Sequence, residues 1–370
     1  MTRGAVALLA LLLMASSTTT FVRCEPQVPC YFVFGDSLSD PGNNNDLVTK
    51  AKANYPPYGI DFPGGVPTGR FSNGRNFVDR ITELLGFDEY IPPYSTAKGR
   101  QILKGVNYAS GAAGIRSETG QHLGDRISMD QQLLNHGLTV AKIPWYGFSA
   151  LQNLGKCLYT VNIGNNDYIN NYFNSNYSSS SIYNPEEYAQ ALINKYGWQL
   201  KSLYLLGARK IAVFGLGLVG CTLGEIYTFG TSDGSLCVDK INEAVQLFNE
   251  KLITLVDDLT MELPGAQFTY IGASSSTDTG SAVADTTCCK LRDDYQCIEF
   301  DTVCEGRDNY IFWDGFHPTE VVNVLSGETA YSGIDSKYIH PVDIKTLVSC
   351  DREFMLKKVQ NRISTRISSA

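Results

Sequence analysis

In "CYFVFGDSLSD", residues 30–40, Ser37 stands two places beyond an apolar run that ends at Gly35; in "FWDGFHPTE", near the other end of the 370-residue chain, His317 stands three places beyond Asp314. A serine hydroxyl attacks a carbonyl only when a base takes its proton, and an imidazole is the usual base once a carboxylate holds its other nitrogen. A gap of three lets the Asp314 and His317 side chains meet on one turn, with the carboxylate accepting Nδ1–H and Nε2 left for Ser37. Pro318 then keeps the backbone from continuing as the middle of a regular helix. His122, His136 and His340 sit in polar stretches without an acid at short range, which assigns them to the surface. The G-x-S-x-G elbow of many nucleophilic serines is absent, because Asp36 precedes Ser37 and Leu38 follows it. Each motif alone is weak, since Gly-Asp-Ser also suits a turn in which Asp and Ser satisfy backbone groups.

Positioning such groups needs a frame. Strand-length apolar runs recur at 31–35, 104–111, 158–164, 210–217 and 268–273, each ending at glycine or a small residue. A helix is expected over about Asp239 to Glu262, with Asp239 able to cap it and apolar residues at helical spacing up to Pro264-Gly265. Another starts near Pro185-Glu186-Glu187 and stops at Gly207. Strands alternating with helices imply βαβ units, hence one α/β domain with a mostly parallel sheet covered on both faces. No linker or internal repeat divides the chain. Ligands of such sheets bind beyond the carboxyl ends of the strands. There the first run delivers Ser37, the second Gly111, and the third Gly164-Asn165-Asn166-Asp167. A hydroxyl, a glycine N–H and a side-chain amide around one point suit acyl transfer. Taken singly, Asn166 could equally hold a loop and Gly111 could serve tight packing.

Four blocks carry a family resemblance: "FVFGDSLSDPGNNN", "GVNYASGAAGI", "VNIGNNDYINNY" and "FWDGFHPTE", with "GARKIAVFGLGLVGC" between the last two. Over about residues 29–350 the chain resembles the plant secreted form of the GDSL esterase/lipases in the SGNH hydrolase superfamily. The resemblance implies a three-layer flavodoxin-like domain, with Ser37 as nucleophile and His317 as base oriented by Asp314. It implies an oxyanion hole from the Ser37 and Gly111 backbone N–H groups and the Asn166 amide, with no metal or cofactor. Pro41, where such sequences often place Asn, is a departure that leaves these residues intact. The expected activity is hydrolysis of carboxylic esters, of lipids or of acylated small molecules or cell-wall components. An acyltransferase would use the same triad with an alcohol in place of water. A non-catalytic glycan-binding protein, using the Tyr/Asn/Ser-rich loop at about 168–184, is the reading from another class.

Bulk properties narrow the setting. A net charge of −8 and the lack of an interior basic cluster argue against nucleic acid as a partner. The basic closing stretch, "REFMLKKVQNRISTR", reads as a solvated tail or terminal helix without a clear apolar face. Residues 1–24 read as a signal peptide: Arg3 gives a positive start, Ala5 to Ala15 are apolar but too short to span a bilayer, and cleavage suits Cys24 before Glu25. That leaves a secreted, extracellular domain over 25–370 with no later transmembrane stretch. Ten cysteines fit an oxidising compartment; cleavage after Cys24 leaves nine and therefore at least one unpaired. Cys221 with Cys237, and the group Cys288, Cys289, Cys297 and Cys304, suit local disulfides, whereas the group lacks the spacing of a zinc site. Asn176-Tyr-Ser178 is an N-glycosylation sequon in a polar loop. Gly215-Leu-Gly217-Leu-Val-Gly220 matches a dinucleotide fingerprint, yet the "CTLGEIYTFGTSDGSLC" that follows is not the helix such a fingerprint must open.

Overall fold

The computed structural model describes residues 25–230, 234–272, 282–333, 338–349, 353 and 355–360. The expected signal segment lies outside the described residues, as do Cys24 and Cys350. Four strands run parallel and side by side in chain order: β1 (Tyr31–Gly35), β2 (Leu158–Asn162), β3 (Lys210–Phe214) and β4 (Gln267–Ile271). Two short strands, β5 (Val283–Thr287) and β6 (Tyr310–Phe312), form a separate parallel pair, and β7 (Ile339–His340) lies antiparallel to β4.

The parallel strands are rich in aromatic and β-branched residues and buried almost throughout, as a sheet covered on both faces requires. Alternation along each strand sorts the side chains. Phe32, Phe34, Tyr159, Val161, Ile211, Val213 and Phe268 enter one core with the helices α2 (Met129–Lys142), α3 (Pro185–Leu205) and α4 (Asp239–Glu262). Tyr31, Val33, Leu158, Ala212, Phe214 and Ile271 face the other way, against α1 (Phe77–Leu84), α5 (Glu320–Ser332) and α6 (Ile344–Ser349). The result is the expected three-layer arrangement.

Helix limits follow local chemistry. Asn184 caps α3 in a reciprocal capping box with Glu187, Pro185 takes the first turn, and Gly207 leaves the helix at φ +107°. For α4 the extent matches the expectation but the cap does not. Val238 occupies the cap position, and Asp239 lies inside the first turn, where its charge opposes the positive end of the helix.

The segment 104–111 is extended without forming a regular strand. It runs along β1, the Tyr31 and Val33 N–H groups donating to Lys104 and Val106 carbonyls, and the Tyr108 and Ser110 N–H groups donating to Val33 and Gly35. Gly105 interrupts it at φ +125°, where a Cβ would lie 1.8 Å from the Tyr31 carbonyl oxygen. The glycine-rich decoy exits β3 into a loop and a short turn at Val219–Cys221, and the next helix begins only at Leu223.

Two surface assignments need correcting. His136 is fully buried among Phe32, Phe34, Tyr108 and Tyr159, and burial pulls its imidazole down to about 3, so it is neutral. Helical periodicity carries it inward, since it follows Met129 by seven places and Gln132 by four. His340 does have an acid partner, Asp257, with Nε2 2.5 Å from the carboxylate, but 83 residues separate them in sequence. His122 is half-buried beside the Tyr177 hydroxyl. At the chain's end, helical residues 355–360 do possess a narrow apolar face, Met355 and Val359, and both are buried.

Candidate active site

Gly35 ends β1 at the carboxyl edge of the sheet and is gripped from both sides by Gln132 of α2, its N–H donating to Oε1 at 3.0 Å and its carbonyl accepting from Nε2 at 2.8 Å. A Cβ here would lie 2.6 Å from the Asn162 carbonyl oxygen, so only glycine lets β1 sit this close to β2. The Asp36 N–H continues the ladder to Asn162, and its carboxylate takes the Leu38 N–H at 3.0 Å. This tight turn holds Ser37 half-exposed above the sheet.

The opposite side comes from the turn after β6. Asp314 Oδ1 accepts the backbone N–H groups of Phe316 (2.9 Å) and His317 (2.8 Å), and Trp313 donates its N–H to the His317 carbonyl. His317 Nδ1 lies 2.8 Å from both Asp314 oxygens, and Nε2 lies 2.8 Å from Ser37 Oγ. A carboxylate there assigns the hydrogen to Nδ1 and leaves the Nε2 lone pair for the serine hydroxyl. Burial pushes the Asp314 carboxyl up, but the electrostatic influence of the adjacent His317 imidazole and hydrogen bonds from His317, Tyr58 and the Phe316 N–H outweigh it and hold the group below the usual carboxylate range. Phe71 lies against the imidazole, ring centres 4.8 Å apart.

The expected oxyanion donors are not equally placed. The Ser37 N–H has no hydrogen-bond partner among the described residues. Asn166 donates one amide hydrogen to the Ala113 carbonyl (3.0 Å), and its oxygen accepts from Asn170 (2.6 Å), which fixes the orientation and leaves the second amide hydrogen. The Gly111 N–H, by contrast, donates to Asp40 Oδ2 at 3.0 Å. The reason is the polar run "SDPGNNN", which is buried rather than solvated. Asp40 Oδ1 takes the Gly42 and Asn43 N–H groups, Asn43 donates to the Asn107 and Ala109 carbonyls, and Asn44 donates to that of Gly111. These side chains tie the loop after β1 to the segment 104–111.

Sequence reasoning missed Asp40, Gln132 and Tyr58. Only the first left a signal, an acid and three asparagines crowded behind a strand end. Burial pushes the carboxyls of Asp36, Asp40 and Asp167 up to about 6 each, partly offset by the N–H groups around them. Among the described residues no cluster of three or more His, Cys, Asp and Glu could hold a metal ion. Cys221–Cys237 is a disulfide, and the group whose pairing the sequence leaves open closes locally as Cys288–Cys304 and Cys289–Cys297, whereas Cys30–Cys157, joining the starts of β1 and β2, left no sign in the sequence. No helix among the described residues is long and apolar enough to cross a membrane.

The family model for GDSL-like lipase/acylhydrolases matches residues 31–328. An Arabidopsis thaliana GDSL esterase/lipase is 47% identical over 341 residues, covering 88% of this chain and 93% of its own. A second from the same plant is 48% identical over 338 residues (87% and 93%), and a third is 43% identical over 359 residues (92% and 98%). With most of its length matched in this way, the chain belongs to the GDSL-like lipase/acylhydrolase family and is an enzyme of the carboxylic ester hydrolase class.

Proposed function

We propose that the protein is a secreted serine esterase working through an acyl-enzyme. The observation that supports this is the unbroken hydrogen-bonded series Ser37–His317–Asp314, with 2.8 Å at each step. His317 Nε2 takes the Ser37 proton as Oγ attacks the ester carbonyl. The tetrahedral intermediate collapses, its C–O bond breaks, and the alcohol leaves with that proton from His317. Water then repeats the two steps and frees the acid. The oxyanion is met by the Ser37 N–H and the spare Asn166 amide hydrogen; Gly111 joins them only if its N–H leaves Asp40. Because Asp314 is buried and ionised beside His317, it favours the imidazolium that forms during attack.

The substrates proposed are carboxylic esters of lipids, or of acylated small molecules or cell-wall components. Secretion through a cleaved segment 1–24 is supported by four disulfides, and a glycan on Asn176 by the exposure of that side chain. Ser37→Ala tests the reading. It is expected to lower kcat on a short p-nitrophenyl ester by about 10⁴-fold or more with Tm within a few degrees of wild type. Wild-type turnover by that variant would remove Ser37 as nucleophile.

A further inference from the structure

The Asp314 carboxylate has a partner outside the serine–histidine series. Tyr58, 1% exposed in the loop "NYPPYGID", donates its hydroxyl to Asp314 Oδ2 at 2.6 Å across 256 residues of sequence. The same hydroxyl oxygen accepts the Cys297 backbone N–H at 3.2 Å, so the phenol has both a donor and an acceptor and one allowed orientation. Tyr55 and Phe71 meet the Tyr58 ring edge-on, and Phe71 also lies on His317, so the ring has no room to swing. Cys297 is itself tethered through its disulfide to Cys289, whose N–H donates to the Trp313 carbonyl, one residue before Asp314. From these contacts we infer that Tyr58 is a positioning residue for the hydrolytic reaction, holding Asp314 Oδ2 so that the carboxylate can serve His317.

This rests on the Ser37–His317–Asp314 reading and extends it. Oδ1 is fixed by two backbone N–H groups, but among the described residues Oδ2 has only the imidazole and this phenol. Tyr58 supplies what a backbone donor supplies on the other side, and it also draws charge away from the carboxylate. Burial and the neighbouring Asp314 charge keep the phenol far above its ordinary value, hence always a donor. The titratable groups facing Asp314 are His317 and Tyr58, with Tyr55 one ring further and Arg292 and Asp294 behind Tyr55. None of these other groups donates to Oδ2.

The test compares Tyr58→Phe with Tyr55→Phe, whose hydroxyl donates to the Cys297 carbonyl instead of to Asp314. Tyr58→Phe is expected to lower kcat by roughly 10- to 100-fold with KM nearly unchanged, as loss of a hydrogen bond to a charged group predicts. The acid limb of its kcat/KM profile should move up by about half a pH unit to one unit, because a carboxylate with one donor fewer favours the protonated ring more strongly. Tyr55→Phe should leave both readouts at wild type. Wild-type kcat and acid limb in Tyr58→Phe, or equal changes in the two variants, would overturn the assignment. A purely structural role would lower Tm without moving the acid limb. If Tyr58→Phe does not fold, 3-fluorotyrosine at position 58 keeps the shape and strengthens the donor. The acid limb should then move down, and an unmoved limb overturns the proposal. A dead Ser37→Ala beside a wild-type Tyr58→Phe rejects Tyr58 alone, whereas an active Ser37→Ala rejects the reading beneath it.

Discussion

The two sides of the candidate site are built by different means. Ser37 leaves the most regular part of the molecule, where β1 is laddered to β2 and to the segment 104–111, and buried side chains of Gln132, Asp40 and Asn43 bind backbone groups on either side of the exit turn. His317 stands in an irregular stretch whose short strands form only a two-stranded pair, and which is drawn together by Cys288–Cys304 and Cys289–Cys297. One wall is therefore fixed by secondary structure and the other by cross-links. The contrast teaches that regular hydrogen bonding can be replaced by covalent closure when a loop must present one side chain accurately.

Breaking a disulfide on each side separates stability from alignment. Replacing Cys30 and Cys157 by Ala opens a span of 127 residues, which chain entropy values at about 5 kcal/mol. Denaturant unfolding should show that loss, while kcat below the transition stays at wild type because the β1 ladder remains. A large fall in kcat there would mean that the sheet does not by itself fix the serine side.

The serine side should also report pH. Asp36 is raised from 3.8 to about 6 by burial, so the stability it contributes is fully present below pH 3.8 and is lost as pH rises through about 6. Asp36→Asn should flatten the decline in unfolding free energy between about pH 4 and pH 7 by on the order of 3 kcal/mol. An unchanged slope would show that Asp36 titrates alike in the folded and unfolded chains.

The smallest stability change and the more telling activity change belong to the histidine side. Replacing Cys289 and Cys297 by Ala opens a span of only eight residues, about 2.5 kcal/mol by the same reasoning. It should nonetheless lower kcat about tenfold below the transition, because the Cys297 N–H and the Trp313 carbonyl lose their shared anchor beside Asp314. Unaltered kcat in this pair, set against the first pair, would erase the proposed division of labour.

Much of this frame is readable in the sequence, because strands and helices announce themselves locally. The runs at 31–35, 158–164 and 210–217 become β1 to β3, and Asn184, Pro185 and Gly207 bracket α3 as their chemistry dictates. The residues brought together at Ser37 are legible by type, since few side chains can act as nucleophile, base or amide donor. What is not legible depends on distance along the chain. Nothing near Tyr58 points to Asp314, nothing near Gly111 reveals that Asp40 claims its N–H, and His136 reads as polar until the helical turn carries it into an aromatic core. The same limit explains the cap of α4, where tertiary placement of Val238 overrides the better capping chemistry of Asp239.

The Ser37 hydroxyl and the His317 imidazole are 280 positions apart, one just past the first strand and the other shortly before α5. During synthesis, the sheet that carries the serine can begin to assemble while the histidine turn is still inside the ribosome. In the proposed mechanism, ester cleavage therefore has to wait until the histidine turn has been made and the Cys288–Cys304 and Cys289–Cys297 loops have closed. A truncated product could look well folded by its helix and sheet content and still be chemically silent.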